Sequence, residues 1–158
     1  MSDAQSIFGF ESDFAGGLYC IPMSVRLKLD EIGVKVSLKH WNKLSREERD
    51  QLLIRPCDAE PSRRSYRDYL VAALKARTGA EAQALPIEPH PEWADAGRVP
   101  AQVTQYFHSH GLAPLSQPQW SGLTPLKRFV LIKLTRPGHS NDNFMPALRE
   151  FGLLPERP

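Results

Sequence analysis

Two segments decide the fold, 41-WNKLSREERDQLL-53 and 120-WSGLTPLKRFVLI-132. Each places a tryptophan ahead of a leucine, a hydroxyl residue and a helical apolar pattern. In the first, Ser45 opens an S-x-x-E capping box, which is typical of a helix N-terminus. In the second, Thr124 precedes Pro125, and proline suits the first helical position. Each segment therefore predicts a tryptophan-bearing connector that leads into a helix.

The residues before each segment also correspond. The stretches 22-PMSVRLKLDEIG-33 and 100-PAQVTQYFHSHG-111 both open with proline and end with glycine, and both carry a valine three residues after the proline. Proline at a helix start and glycine just past its end are the expected punctuation of a helix. Two more helices are predicted, over 61–77 and after Asn143. The matched positions predict an internal duplication.

The predicted fold class is therefore all-α, with about six helices in two similar three-helix halves that form a single compact domain. The halves span about residues 20–78 and 99–154, and the connector 79–98 between them is rich in proline. Residues 34–40 predict an extended connector without a strand partner. The helix 124–134 is apolar almost all round, which predicts burial, so Lys133 must snorkel or pair.

Composition limits the class of protein. The chain has 158 residues, of which 41% are hydrophobic, and its net charge is only +2. These values favour a globular protein and give no support for nucleic-acid binding. No apolar run is long enough to span a membrane, and the N-terminal residues do not resemble a signal peptide. The two cysteines form no CxxC pair, which fits a reduced compartment. We expect a soluble cytoplasmic protein.

Several blocks resemble the nitrate-reductase-associated family. They are FGFESDF, CIPMSVRLKLDEIGVKVSLKHW, LSREERDQLLIRPC and LTPLKRFVLIKLTRPGHSNDNFMPALREFGL, which lie within about residues 8–57 and 115–154. The resemblance implies a protein that is necessary for active assimilatory nitrate reductase without being the reductase. It implies nitrate reductase, or an assembly intermediate of it, as the partner. Ser140 stands where the family usually has a glutamate, so an acidic role at that position is in doubt.

Cys20 and Cys57 match cysteine positions of the family. A thiolate could take part in metal or sulfur traffic during assembly of a metalloenzyme. The alternative is that both are small buried hydrophobic residues. Two thiols without histidine neighbours make a poor metal site, and no resident metal or cofactor is predicted.

The tryptophan of each repeat is followed by an arginine eight residues later. Trp41 with Arg49, and Trp120 with Arg128, could form paired binding patches. The alternative is structural: each tryptophan anchors its connector, and the arginine packs or pairs beside it.

His139 lies in the polar loop PGHSNDN before the last helix. With Asn141 and Asn143 it could bind an anion or a partner carboxylate, because backbone N–H groups at a helix start favour negative charge. The alternative is that these residues only cap the helix. His108 and His110 point about 200° apart on a helix and are not expected to share a metal.

The sequence contains no catalytic motif of the kind that marks a nucleotide-binding loop, a zinc protease or a serine hydrolase. We therefore expect a non-catalytic accessory factor that binds nitrate reductase and supports formation of its active form. The alternative is a metal- or cofactor-handling protein that uses Cys20, Cys57 and His139. A transcriptional regulator is a third class, although connectors of about a dozen residues do not fit a helix-turn-helix.

Overall fold

A computed structural model describes residues 7–12, 18–137 and 142–154 of the chain. Within these ranges the chain is mostly helical, with eight α-helices, two short 3-10 helices and one two-stranded sheet. It forms two compact units, Met1–Pro89 and His90–Pro158. The boundary lies inside the proline-rich segment that was predicted as the connector. The predictions of a single domain and of an internal duplication stay predictions.

In the described residues the first unit contains the 3-10 helix Gly9–Glu11, four α-helices and both strands. Its helices are α1 (Met23–Ile32), α2 (Leu38–Trp41), α3 (Arg46–Ile54) and α4 (Ser62–Thr78), and its strands are β1 (Val34–Lys35) and β2 (Gln83–Ala84). Ser45 and Glu48 form the predicted capping box at the start of α3. Helices α1 and α4 end in left-handed glycines, as predicted. The core is made by apolar residues from all four helices and the segments between them, including Trp41, Leu52, Tyr66 and Leu70.

The strand pair corrects the prediction of an all-α fold. Val34 pairs with Ala84 and Lys35 with Gln83 in an antiparallel ladder. Residues 34–40 were predicted to lack a strand partner. This was wrong, because residues 83–84 of the proline-rich connector 79–98 form the partner strand. Gly33, which precedes β1, has φ +70°, and a Cβ there would lie 2.7 Å from Ile87 Cγ1. This turn therefore requires glycine.

The second unit contains the 3-10 helix Glu92–Ala94 and the helices α5 (Ala101–Ser109), α6 (Gln117–Ser121), α7 (Pro125–Leu134) and α8 (Phe144–Glu150). Thr124 caps α7 and Pro125 is its first residue, as predicted. Six residues of α7 are buried, which confirms the prediction that this helix is largely buried. By contrast, only Arg49 and Leu52 are buried in α3.

The predicted number of about six helices was too low. The two additional helices are α2 and α6, which have four and five residues and lie within the predicted connectors. Ser37 and Ser116 cap them, with each hydroxyl accepting a hydrogen bond from a backbone N–H of the first turn. Helices this short show no apolar periodicity, so only their start signals indicated them: Ser37 for α2, and Ser116 with Pro118 and Gln119 for α6.

Candidate functional site

The backbone carbonyl of Leu18 is the meeting point of the first predicted tryptophan–arginine pair. The Trp41 Nε1–H, at the end of α2, donates to the Leu18 oxygen over 2.8 Å, and Arg49 Nη1 of α3 donates to the same oxygen over 2.8 Å. Leu18 is buried and has φ +58°, which is unusual for a residue with a side chain. The two donors therefore hold a strained turn against the ends of two helices.

Tyr19 follows this turn and faces outward. Its side chain is 68% exposed, and its ring centroid lies 5.6 Å from Arg49 Cζ. The guanidinium thus contacts the buried Leu18 carbonyl and the exposed ring at once. A cation over an aromatic face is attracted by the ring quadrupole, so Arg49 also restrains Tyr19.

The second tryptophan–arginine pair holds residues of the connector onto α7. The Trp120 Nε1–H donates to the Asp95 carbonyl over 2.8 Å. Arg128 Nε donates to the Trp93 carbonyl over 2.7 Å, and its Nη1 donates to the Leu123 carbonyl over 2.6 Å. Burial lowers the pKa of Arg128 from its ordinary value. This arginine therefore fastens the 3-10 helix to the start of α7.

These contacts bear on the binding role predicted for Trp41, Arg49, Trp120 and Arg128. Both tryptophans are 0% exposed, and both arginines are buried. Each pair anchors a neighbouring loop, as the structural alternative describes. The role of the four residues in binding a partner stays a prediction.

Cys57 lies in the core of the first unit, directly after the Arg55–Pro56 turn. Its Sγ is 3.8 Å from the Lys28 carbonyl oxygen. Burial, with a further contribution from the Glu31 carboxylate, raises the pKa of the Cys57 thiol to about 12. A protonated thiol is neither a good nucleophile nor a good metal ligand. Cys20 is partly exposed.

Lys28 is a buried polar residue that the sequence analysis missed. Its Nζ donates to the Leu53 and Arg55 carbonyls over 2.7 and 2.9 Å, so it completes the C-terminal end of α3. The same Nζ lies 5.6 Å from the centroid of the Tyr66 ring. Burial lowers the pKa of Lys28 to about 8. Its position three residues after Val25, on the apolar stripe of α1, was the available signal.

Other acid–base groups surround Lys28. The Tyr66 hydroxyl donates to the Leu52 carbonyl over 2.6 Å, and Glu31 Oε2 lies 3.4 Å from Arg63 Nε. Burial raises the pKa of Glu31, while the charge of Arg63 opposes that shift. The cluster has the Glu31 carboxylate and one protonated thiol, and the exposed Asp58 carboxylate lies near enough to raise the pKa of both Glu31 and Cys57. No group of three or more histidine, cysteine, aspartate or glutamate residues is placed to hold a metal ion in the ranges described.

Glu11 is a second buried polar residue that the sequence patterns did not single out. It is 1% exposed, and its two carboxylate oxygens accept hydrogen bonds from the backbone N–H groups of Phe8 and Met23, both over 3.1 Å. Met23 is the first residue of α1, where a negative charge is favoured by the helix dipole. Glu11 therefore docks the N-terminal FGFE segment onto α1.

The predicted loop site is only partly described. His139 and Asn141 lie outside the described residues. Asn143 occupies the predicted N-cap position of α8, but its side chain makes no capping hydrogen bond. His110 is the C-cap residue of α5, and its ring stacks on Tyr106 with a centroid distance of 4.3 Å. His110 therefore packs on its own helix at the C-terminal end of α5.

The lysines of α7 lie over aromatic rings. Lys133 Nζ lies 5.2 Å from the Phe129 ring centroid, and Lys127 Nζ lies 5.5 Å from the Phe151 ring centroid. Lys133 is half-buried, which agrees with the snorkelling predicted for it.

Among the described helices, none has both the length and the apolar composition needed to cross a membrane.

The described residues thus define a mostly helical protein in which buried polar side chains tie loops to helix ends. The sequence model of a family described as conserved nitrate reductase-associated protein matches residues 7–151, and the chain belongs to that family. The resemblance noted from the sequence blocks is confirmed, and the match also spans residues 58–114 between them. No curated protein and no solved structure gives a match.

Proposed function

We propose that the protein is a non-catalytic accessory factor that binds nitrate reductase, or an assembly intermediate of it, and promotes the active, cofactor-loaded enzyme. The observation that carries this proposal is the family match over residues 7–151, whose description names nitrate reductase as the associated protein. The match includes nearly all of the described residues, so both units belong to the region that the family shares.

The polar contacts support a binding role for the surface more than a reaction in the interior. Lys28, Arg49 and Arg128 each donate to two or more backbone carbonyls, and Cys57 is a buried, protonated thiol. Groups occupied in this way stabilise loops and helix ends. The side chains left for recognition are the exposed ones.

A direct test is recovery of the partner. The tagged chain is expressed in cells that assimilate nitrate, crosslinked, and purified under denaturing conditions. We expect peptides of nitrate reductase to be enriched over an unrelated tagged protein of similar size, and crosslinks to connect the two proteins. Absence of enrichment in cells that contain active reductase would contradict the proposal.

A second test addresses the consequence of binding. Nitrate reductase is produced with and without this chain, and its cofactor content and nitrate-reducing activity are measured per mole of enzyme. We expect the chain to raise both quantities together, because the proposed effect is on cofactor loading. Equal cofactor content in the two preparations would refute a role in loading. A stoichiometric metal in the purified chain itself would instead favour a metal-handling protein.

A further inference from the structure

An acid-free surface segment lies on the first unit. Between Ile32 and Arg46 the chain carries Lys35, Lys39 and Lys43, all exposed, and no carboxylate. The nearest carboxylates along the chain are those of Glu31, which pairs with Arg63, and Glu47 in the first turn of α3. In the ranges that the structure describes, none of the three lysines forms an ion pair.

Two exposed apolar side chains accompany these lysines. Among the described residues, the exposed large hydrophobic side chains are Tyr19 at 68%, Leu38 at 49%, Ile54 at 47% and Ile87 at 58%. Leu38 begins α2, and Tyr19 follows Leu18, whose carbonyl binds the Trp41 indole at the other end of α2. Tyr19 and Leu38 thus lie in two segments that the Trp41–Leu18 hydrogen bond joins, and α2, which carries both Leu38 and Trp41, has four residues. We call Tyr19, Lys35, Leu38, Lys39 and Lys43 the Leu38 surface.

The backbone beneath the Leu38 surface is held at several points. Ser37 caps α2 by accepting a hydrogen bond from the His40 N–H, and Trp41 is fully buried. Lys35 belongs to the strand ladder. A surface held in one conformation before binding loses little entropy on association. An exposed tyrosine and an exposed leucine on such a support, with three exposed lysines in the segment that carries the leucine, have the composition of a protein-binding site with a charged rim.

We propose that the Leu38 surface docks onto an acidic patch of nitrate reductase, with Tyr19 and Leu38 in apolar contact and Lys35, Lys39 and Lys43 facing carboxylates. The inference rests on the proposed function, because that function supplies the partner. We expect the partner's patch to be acidic, because a segment that carries three lysines and no carboxylate attracts acidic surfaces and repels basic ones.

The test measures binding of the full chain to purified nitrate reductase, both cofactor-free and cofactor-loaded, at low and high salt. For the double variant K39E/K43E we expect association about tenfold slower at low salt, with a smaller difference at high salt. The control variant R64E/R67E changes the net charge by the same amount on the exposed face of α4, and its binding should stay within about twofold of wild type.

The apolar part of the surface is tested separately. We expect L38A to weaken binding by about fivefold and Y19A by about tenfold, as for anchor residues of an interface. The control is I54A, because Ile54 and Leu38 are exposed to almost the same extent. Far-ultraviolet circular dichroism verifies folding, and K39Q/K43Q, which only removes charge, replaces the reversal variant if that one unfolds. We expect K39Q/K43Q to give a smaller loss than K39E/K43E.

The outcomes separate the two proposals. If wild type binds the reductase and L38A, Y19A and the lysine variants bind equally well, the Leu38 surface is refuted and the proposed function stands. If wild type binds neither form of the reductase, both are refuted. Retention of duplex DNA or anionic vesicles by wild type, lost in K39E/K43E, would assign the surface to a different partner and overturn the inference.

Discussion

Trp41 and Arg49 donate to the same carbonyl of Leu18, and from this we derive a quantitative prediction about stability. In the described part of the chain this buried oxygen accepts from two side chains, Trp41 and Arg49. The substitution W41F removes one donor and some ring volume, at a cost of about 2 kcal/mol in the free energy of unfolding. R49M keeps much of the aliphatic stem and removes the charged donor, also at about 2 kcal/mol.

The double variant W41F/R49M should cost more than the sum of the two single changes. After either single change the Leu18 carbonyl still has one donor, but after both it is buried without any. An unsatisfied buried carbonyl costs about 1–3 kcal/mol, so we expect a coupling energy of about 1–2 kcal/mol. Urea unfolding followed by far-ultraviolet circular dichroism measures it, because tryptophan fluorescence would itself change in these variants.

The second unit supplies a matched control. Trp120 and Arg128 donate to different carbonyls: the indole donates to Asp95, and the guanidinium donates to Trp93, to Leu123 and, over 3.5 Å, to the backbone of Trp120 itself. Because the indole and the guanidinium share no acceptor, the cycle of W120F and R128M should couple by only about 0.5 kcal/mol, the lower end of the range for residues in contact. A coupling below that value in the Leu18 cycle, or equal couplings in both cycles, would refute the argument from a shared acceptor.

Three further predictions concern the buried polar groups. Burial lowers the pKa of Lys28 from 10.5 to about 8, so the folded protein disfavours the charged ammonium. The free energy of unfolding, relative to that of K28M, should therefore rise by about 3 kcal/mol between pH 8 and pH 10.5 in urea titrations. A difference that does not change with pH would contradict this prediction. In native protein at pH 8, thiol reagents should label Cys20 well before Cys57, with C57S identifying the slow site, whereas equal rates would show that Cys57 is accessible. E11A should lower the free energy of unfolding by about 2 kcal/mol and E11Q by less, because glutamine keeps one acceptor oxygen, as thermal unfolding will measure; a loss below about 0.5 kcal/mol in E11A would refute the docking role of Glu11.

Much of the helical layout was predictable because its signals are local. The Ser45 capping box, the Thr124–Pro125 start and the glycines after α1 and α4 act within about one helical turn of the residues that they organise. The strand pair was not predictable in this way. Residues 34–35 and 83–84 are far apart in the chain, and neither segment is long enough to show an alternating pattern.

The candidate site was likewise predictable in part: local sequence signals marked some of its residues, and long-range contacts decided the rest. The sequence marked the two tryptophans and two arginines as special because amphipathic periodicity does not demand them. The sequence left open whether these four residues face a partner or the interior, because both placements are compatible with the same residue pattern. It gave no sign that Leu18 would adopt φ +58° or that Lys28 would complete the end of α3.

The amino-acid sequence by itself determined where helices begin and end, which faces are apolar, and that the chain resembles the nitrate-reductase-associated family. Tertiary structure alone decided which carbonyls Trp41, Arg49, Trp120 and Arg128 bind, why the Cys57 thiol stays protonated, and which apolar residues remain exposed. The physical reason is range: capping and periodicity operate within a few residues, whereas the deciding hydrogen bonds of the first unit join Leu18 to residues 23 and 31 positions away. Desolvation likewise depends on all the elements that pack around a group, and no single segment specifies it.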